Sequence, residues 1–272
     1  MDKPRIYRML GSCNGLVCIS MDPDRGMDKP IYICNPVTKE YLLLPSLSDT
    51  TLGSYNFFNC GIGYIPSANE YKVVKIHKCG GEVGERVYVY TLGSGKRWRY
   101  IGEITYKLMH TYRNVLVDGA LHWVDYTQGN IVAFDLTEEK FSMISLTPTC
   151  FVNNWPLNRK HSSCELKVLG GSLCIVHQYN CTWYDIWSLK KGNNGNKYSH
   201  WSRDFNTFKF GCEFDYIPWA NIFHVTKDDE VLFCNEYTFY NHDLKQDRDK
   251  KLECILDSVR NMVWKLGMRY FM

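Results

Sequence analysis

Four residues of zinc-ligand type fall within 17 positions, as His161-x-x-Cys164 followed by Cys174-x-x-His177. Thiolates and imidazoles are the usual ligands of tetrahedral zinc, and pairs at this spacing come from a knuckle turn or a helix. Cys174 and His177 instead sit in SLCIVHQY, an apolar run of strand length. An odd step along a strand sends two side chains to opposite faces. Joint ligation is therefore disfavoured, and we read the four as ordinary strand residues with no metal and no cofactor. The rival reading is a metal-assisted hydrolase on the cluster running from His161 to His177.

Other chemical signals are weaker. Gly93-Ser94-Gly95-Lys96 has the flavour of a phosphate loop. A phosphate loop needs four residues between its glycines, then Lys and Ser or Thr, and leads into a helix. Here Arg97 and Trp98 follow and a strand resumes, so we expect a hairpin turn. Gly61-Ile62-Gly63 runs into Tyr64, Ile65 and Pro66, with no third glycine and no helix start. His122, His177 and His224 are each flanked by apolar strand residues, and no Gly-x-Ser-x-Gly occurs. His122, in GALHWV, is expected to pack beside Trp123. No catalytic centre is expected.

The composition excludes several classes. Hydrophobic residues at 45% and charged residues at 22% suit a globular chain with a sizeable core. Nineteen Tyr, 13 Phe and 8 Trp favour the pleated surface of strands. A formal charge of +3, with no single basic block, gives no nucleic-acid footprint. No apolar run approaches the ~18 residues of a membrane span, and MDKPRIYRML lacks the core of a signal peptide. We expect no membrane partner and a cytoplasmic or nuclear location. The sequon at Asn180 then carries no weight. Twelve cysteines spread along such a chain read as reduced thiols. Cys18, Cys34, Cys174 and Cys234, inside apolar runs, are expected in the core.

A repeat organises the chain. Its first half is a turn pair before a short apolar strand: Asn14-Gly15, Asp118-Gly119, Gly170-Gly171 and Asp228-Asp229. Such pairs supply the positive φ of a tight hairpin, Asp-Asp least well. Its second half is strand, polar turn, strand, as in IYICNPVTKEYLLLP and IVAFDLTEEKFSMISL. Taking Ile31, Val87, Ile131, Tyr184 and Tyr237 as equivalent gives spacings of 56, 44, 53 and 53 residues, the scale of propeller blades. No Pro/Gly/Ser-rich linker divides the chain, so residues 1–272 read as one all-β domain. After Lys251, Leu252, Ile255, Leu256, Val259, Met262, Val263 and Leu266 fall at helical spacing, and a short C-terminal helix competes there with a closing strand.

The ordered series GSCNGLVCI, ICNPVTKEYLLLP, FNCGIGYIPSANEYKVVKI, VLVDGALHWV, IVAFDLTEEKFSMISL and ELKVLGGSLCIV, then YDIWSLKK, resembles the F-box-associated domain of plant F-box proteins. That domain is the kelch-like portion C-terminal to the F-box. The resemblance covers residues 10–204 well and weakens afterwards. It implies a β-propeller-like fold of five to six blades of short antiparallel strands. It also implies a substrate-recognition role in which the domain holds a protein substrate while an F-box docks on a Skp-type adaptor of a cullin ubiquitin ligase. An F-box is a Leu-Pro-initiated helical run of about 45 residues in that family, and residues 1–10 do not resemble one. Adaptor and cullin are thus expected partners only if an F-box lies elsewhere, as for a fragment; a truncated product or a free-standing binder unconnected with ubiquitination remains the other reading.

Aromatics between the strands are the candidate partner-binding residues: Tyr55 and Phe57 with Phe58, then Trp155, then Tyr216 and Trp219. Aromatics at loops bring large contact area with few rotors to freeze. The competing role is to cap the sheets as satellite core. Elemental analysis of the purified protein should find no stoichiometric zinc, and a chelator should leave its melting temperature unchanged.

Overall fold

The structure is a computed structural model. It describes residues 6–22, 30–47, 58–78, 84–95, 97–108, 114–125, 127, 129–144, 163–179, 183–192, 198–203, 208–209, 221–226, 228, 230–235, 238–246 and 248–252. These residues form five antiparallel sheets, each a meander in chain order, which are the blade units of a β-propeller. The first sheet comprises β1 (Ile6–Cys13), β2 (Leu16–Asp22), β3 (Ile31–Cys34) and β4 (Tyr41–Leu43). The second comprises β5 (Phe58–Ile65), β6 (Glu70–His77), β7 (Glu85–Thr91) and β8 (Arg99–Ile104). The third comprises β9 (Val115–Val117), β10 (Ala120–Val124), β11 (Ile131–Asp135) and β12 (Lys140–Ile144). In the fourth, β13 (Ser163–Leu169), β14 (Ser172–Tyr179), β15 (Trp183–Lys191) and β16 (Tyr198–Arg203) are joined by β17 (Phe208–Lys209), which pairs with β15. The fifth comprises β18 (Asn221–Val225), β19 (Glu230–Asn235), β20 (Thr238–Asp243) and β21 (Arg248–Lys251). The expected C-terminal helix lies outside the described residues.

The repeat maps onto this register. Ile31, Val87, Ile131 and Tyr184 all lie on the third strand of their sheets, and Tyr237 falls just before β20, outside the described residues. Three of the turn pairs carry the expected backbone, with φ of 44° and 84° at Asn14-Gly15, 49° and 74° at Asp118-Gly119, and 57° and 77° at Gly170-Gly171. Two successive positive φ values match the right-handed twist of the strands they join. Asp228 differs. It belongs to a longer connection between β18 and β19, in which Thr226 Oγ1 accepts from the backbone N–H groups of Asp228 and Glu230. A further first hairpin, at residues 66–69, lacked a glycine pair. Its turn closes with Asn69 at φ 53°, and Tyr64 Oη donates to Asn69 Oδ1 at 2.8 Å.

The turn from third to fourth strand recurs by a second device. Asn35 Oδ1 accepts from the N–H groups of Val37 and Thr38, Asp135 Oδ1 from Thr137 and Glu138, and Asp243 Oδ1 from Lys245 and Gln246. A short Asx side chain thus replaces a backbone acceptor where the ladder ends. The Gly93-Ser94-Gly95 segment is the hairpin between β7 and β8, with positive φ at both glycines.

The chain divides into two compact units. In the first, which takes residues up to Thr127 and Ile131–Met143, the three sheets pack face to face through two cores. Cys18, Ile31 and Ile33 meet Phe58, Ile62, Val73 and Tyr90 in one of them. Val74, Ile76, Val87 and Val89 meet Leu121, Trp123, Val132 and Phe134 in the other. In the second unit, which includes Ile144–Leu266, Cys174, Val176, Tyr184 and Ile186 meet Ile222, Val231 and Phe233. Cys18, Cys174 and Cys234 are buried as expected. Cys34 is only half-buried, because alternation along β3 sends Ile31 and Ile33 to the core and Tyr32 and Cys34 to the other face.

The first strands of the first unit approach closely, and Gly61-Ile62-Gly63 is the reason. A Cβ on Gly61 would lie 2.7 Å from Asn114 Oδ1, and one on Gly63 would lie 2.2 Å from Leu136 Cδ1. Asn114 uses that room: its Nδ2 donates to Leu10 O at 2.6 Å and also to Cys60 O. Leu10 is the residue skipped where the register shifts between Met9 and Gly11, so a bulge leaves its carbonyl free for the amide. One side chain thereby joins β1, β5 and the start of β9.

Gly63→Ala should cost about 1–3 kcal/mol, because the fully buried Leu136 has nowhere to move. Asn114→Ala should cost about 1–3 kcal/mol by orphaning buried carbonyls. Gly15→Ala, where nothing lies within 4 Å of the added Cβ, should cost about 1 kcal/mol through backbone strain alone. Urea unfolding of the three variants checks the ranking.

Candidate interaction face

Antiparallel meanders give each sheet two unlike ends. At one lie the short hairpins between first and second strands and between third and fourth. At the other, each second strand passes to the third and each fourth strand leaves its sheet. Long connections tolerate variation that a ladder does not, so recognition residues concentrate there.

In the first unit the hairpin end is laced with polar contacts. Asn14 Nδ2 donates to Tyr71 Oη at 2.9 Å, and Tyr71 Oη donates back to Asn14 O at 3.1 Å. Lys72 Nζ reaches Leu136 O and Glu139 Oε1, both at 2.8 Å, while Arg99 Nη2 holds both oxygens of Glu139 at 2.6 and 2.7 Å. Burial would raise the Glu139 carboxyl, but Arg99 and Lys72 outweigh it and hold the group below its ordinary range.

The connection end is different. Glu85, at the start of β7, is 2% exposed, and neither of its oxygens has a hydrogen-bond partner. Burial pushes its carboxyl up to about 7, against the pull of the Leu108 N–H and of Lys78 and Lys107, while Asp125 adds to the rise. Asp125 is 3% exposed, and its Oδ1 accepts from Thr127 N at 2.9 Å and Thr127 Oγ1 at 2.6 Å. The segment leaving β8 is pinned by a β-bridge from Leu108 to Asp125. Where residues 44–57 leave β4, Trp98 Nε1 donates to Pro45 O at 2.7 Å.

In the second unit Cys164 of β13, His177 of β14 and Asp185 of β15 are successive cross-strand partners. They form one buried row near the connection end. Arg203 Nη2 pairs with Asp185 Oδ1, and its guanidinium lies 5.9 Å from the Trp187 ring centre. Burial lowers the His177 imidazole, an effect partly offset by Asp185. Cys174 is on the opposite face from His177 and donates Sγ–H to Ser172 O at 3.5 Å. The odd-step argument against joint ligation therefore holds in the register. His161 lies outside the described residues, and among those described no three metal-ligating side chains converge.

The candidate partner-binding aromatics fall on the connections. Tyr55 and Phe57 precede β5, Trp155 falls between β12 and β13, and Tyr216 and Trp219 precede β18. All five lie outside the described residues. Phe58 does not belong with them. It is a buried β5 residue with Lys75 Nζ 4.5 Å from its ring centre, because the strand begins one residue earlier than the aromatic run suggests. His122 also departs from expectation. It is fully buried with Nδ1 3.3 Å from Val115 O, but strand alternation puts it on the face opposite Trp123. Glu85 carries no chemical motif in the sequence, but counting back by twos from Val89 and Val87 places it on the core face.

Residues 1–248 match the family described as the F-box associated beta propeller domain. An F-box protein of Arabidopsis thaliana is 31% identical over 223 residues, covering 71% of this chain and 51% of the relative. F-box protein CPR1 from the same plant is 26% identical, covering 68% of this chain and 49% of its own length. An Arabidopsis F-box/kelch-repeat protein is 26% identical, with 72% and 52% covered. The chain spans about half the length of these relatives. Among solved structures, the SapL1 lectin superposes with a TM-score of 0.52 at 11% identity, over 92% of this chain and 80% of the lectin, a likeness of fold alone. Five antiparallel meanders, with the family matched along nearly the whole chain, place the protein in the F-box associated β-propeller family.

Proposed function

We propose that this chain is the substrate-recognition module of an F-box-type ubiquitin ligase receptor, holding a protein through the connection end of its sheets. The observation that carries this reading is the family match over residues 1–248, together with relatives that are F-box proteins. The contrast between the two ends supports the choice of surface. A hairpin end with short turns and, in the first unit, ion pairs in direct contact leaves little to vary, whereas the connections differ in length and composition from sheet to sheet. The module does no chemistry of its own: it positions a protein, and ubiquitin transfer belongs to the rest of the ligase. The Skp-type adaptor and cullin are partners of the F-box, not of the sheets. The metal-hydrolase reading has no support in the register, since Cys174 faces away from His177.

The test is a pull-down with the 272-residue polypeptide as bait, against the purified adaptor and against candidate protein substrates. Substrate capture without adaptor capture is expected. Trp155→Ala or Trp219→Ala should weaken substrate binding by about 1–3 kcal/mol where the side chain is an anchor, with the circular dichroism spectrum unchanged. Stable capture of the adaptor by this polypeptide alone would show that the docking surface has been misplaced.

A further inference from the structure

Glu85 stands on the core face of β7, in line with Val87 and Val89, where the second and third sheets meet. An ionised carboxylate buried without hydrogen bonds costs several kcal/mol, and the group is relieved either by a proton or by water. Charge reaches it from every element packed around it: Lys78 follows β6, Lys107 lies on the segment after β8, and Asp125 closes β10. None of these makes a hydrogen bond to its oxygens. Gly84, just before it, passes close to β8: a Cβ there would lie 2.7 Å from Ile104 O.

The elements around Glu85 are not equally fixed. Strands β6 and β7 share a six-pair ladder, and β7 and β8 a five-pair ladder with one register shift between Val87 and Tyr88. Residues 105–108 are held by one bridge, from Leu108 to Asp125, by the seating of Tyr106 and Leu108 in the same core, and by the pull between the Leu108 N–H and the Glu85 carboxyl. When water must enter, the weakest-held element yields first.

We infer that Glu85 and the Leu108–Asp125 bridge form a proton-operated latch between the second and third sheets. With Glu85 neutral, residues 105–108 stay seated. With Glu85 ionised, they lift, the carboxylate is hydrated and Lys107 follows it out. The proton exchanges with solvent, and no bond other than O–H is made or broken. This regulation is independent of what the module binds.

The sign follows from linkage. The carboxyl stands at about 7 with the latch closed and returns towards 4.5 when it opens. Between those values the closed form holds a proton that the open form has lost, so closure weakens as pH rises and the effect saturates above that window.

Amide hydrogen exchange of the 272-residue chain from pH 5 to 8, corrected for intrinsic rates, reads the opening of residues 105–108. Wild type should open roughly 50- to 100-fold more at pH 8 than at pH 5, by the same linkage. Glu85→Gln should be flat and stay closed at pH 8, while Glu138→Gln, an exposed control, should follow wild type. Equal pH dependence in wild type and Glu85→Gln, or none in wild type, would overturn the latch. Should Glu85→Gln fail to fold, carbon-13 NMR titration of the wild-type Glu85 carboxyl decides: a midpoint near 7 supports the latch, and one near 4.5 refutes it.

Discussion

Buried backbone carbonyls must be paired, and at Leu10 and Cys60 the partner is one side-chain amide. Neither carbonyl belongs to a complete ladder. Leu10 O is freed by the bulge in β1, and Cys60 lies on β5, the edge strand of its sheet. Asn114 answers both because Gly61 leaves room for its oxygen and Gly11 presents only a Cα beside Ile62. The first strands of three sheets are thereby set against one another, and the two cores on either side of β5 take their spacing from that contact. Leu136, Leu116 and Leu121 fill the space that the missing Cβ atoms leave. What resembles a fragment of a nucleotide loop is a packing device.

The core between the second and third sheets is closed by a glutamate at each end, and the two behave in opposite ways. Glu139 sits in a hairpin with two cations in direct contact, so burial strengthens its pairing. Glu85 sits where a connection crosses, with lysines near but not bonded, so burial works against its charge. Residue type does not distinguish them; the geometry of their cations does. In the first unit the hairpin end is thus held by direct ion pairs, while the buried carboxyl at the other end of the same core is not.

Local signals were legible in the sequence and distant ones were not. Asn14-Gly15, Asp118-Gly119 and Gly170-Gly171 each announce a turn because positive φ is a property of the residues themselves. The third strands at Ile31, Ile131 and Tyr184 were readable because spacing and period-two patterning are local. The role of Asn114 was hidden, since its acceptors lie 104 and 54 residues away. Adjacency in a strand puts neighbours on opposite faces, so His122 turns away from Trp123 and Cys34 away from the core that Ile33 enters, which no run of apolar residues announces. Tyr55, Phe57, Trp155, Tyr216 and Trp219 sit between strands, where no periodicity says which way a side chain turns.

Among the described residues every sheet pairs first strand with second, second with third and third with fourth, and β17 alone turns back, to β15. A Greek-key sandwich must wait for a late strand to return beside an early one. Here each ladder can zip from its own hairpin before the next sheet has been synthesised, and the loop-closure entropy at each step is that of a short turn. The contacts that must wait are few and side-chain borne, such as Asn114 reaching back to Leu10. Translation can therefore deliver this protein one meander at a time, with docking of completed sheets, rather than strand pairing, as the slow event on the way to the native state.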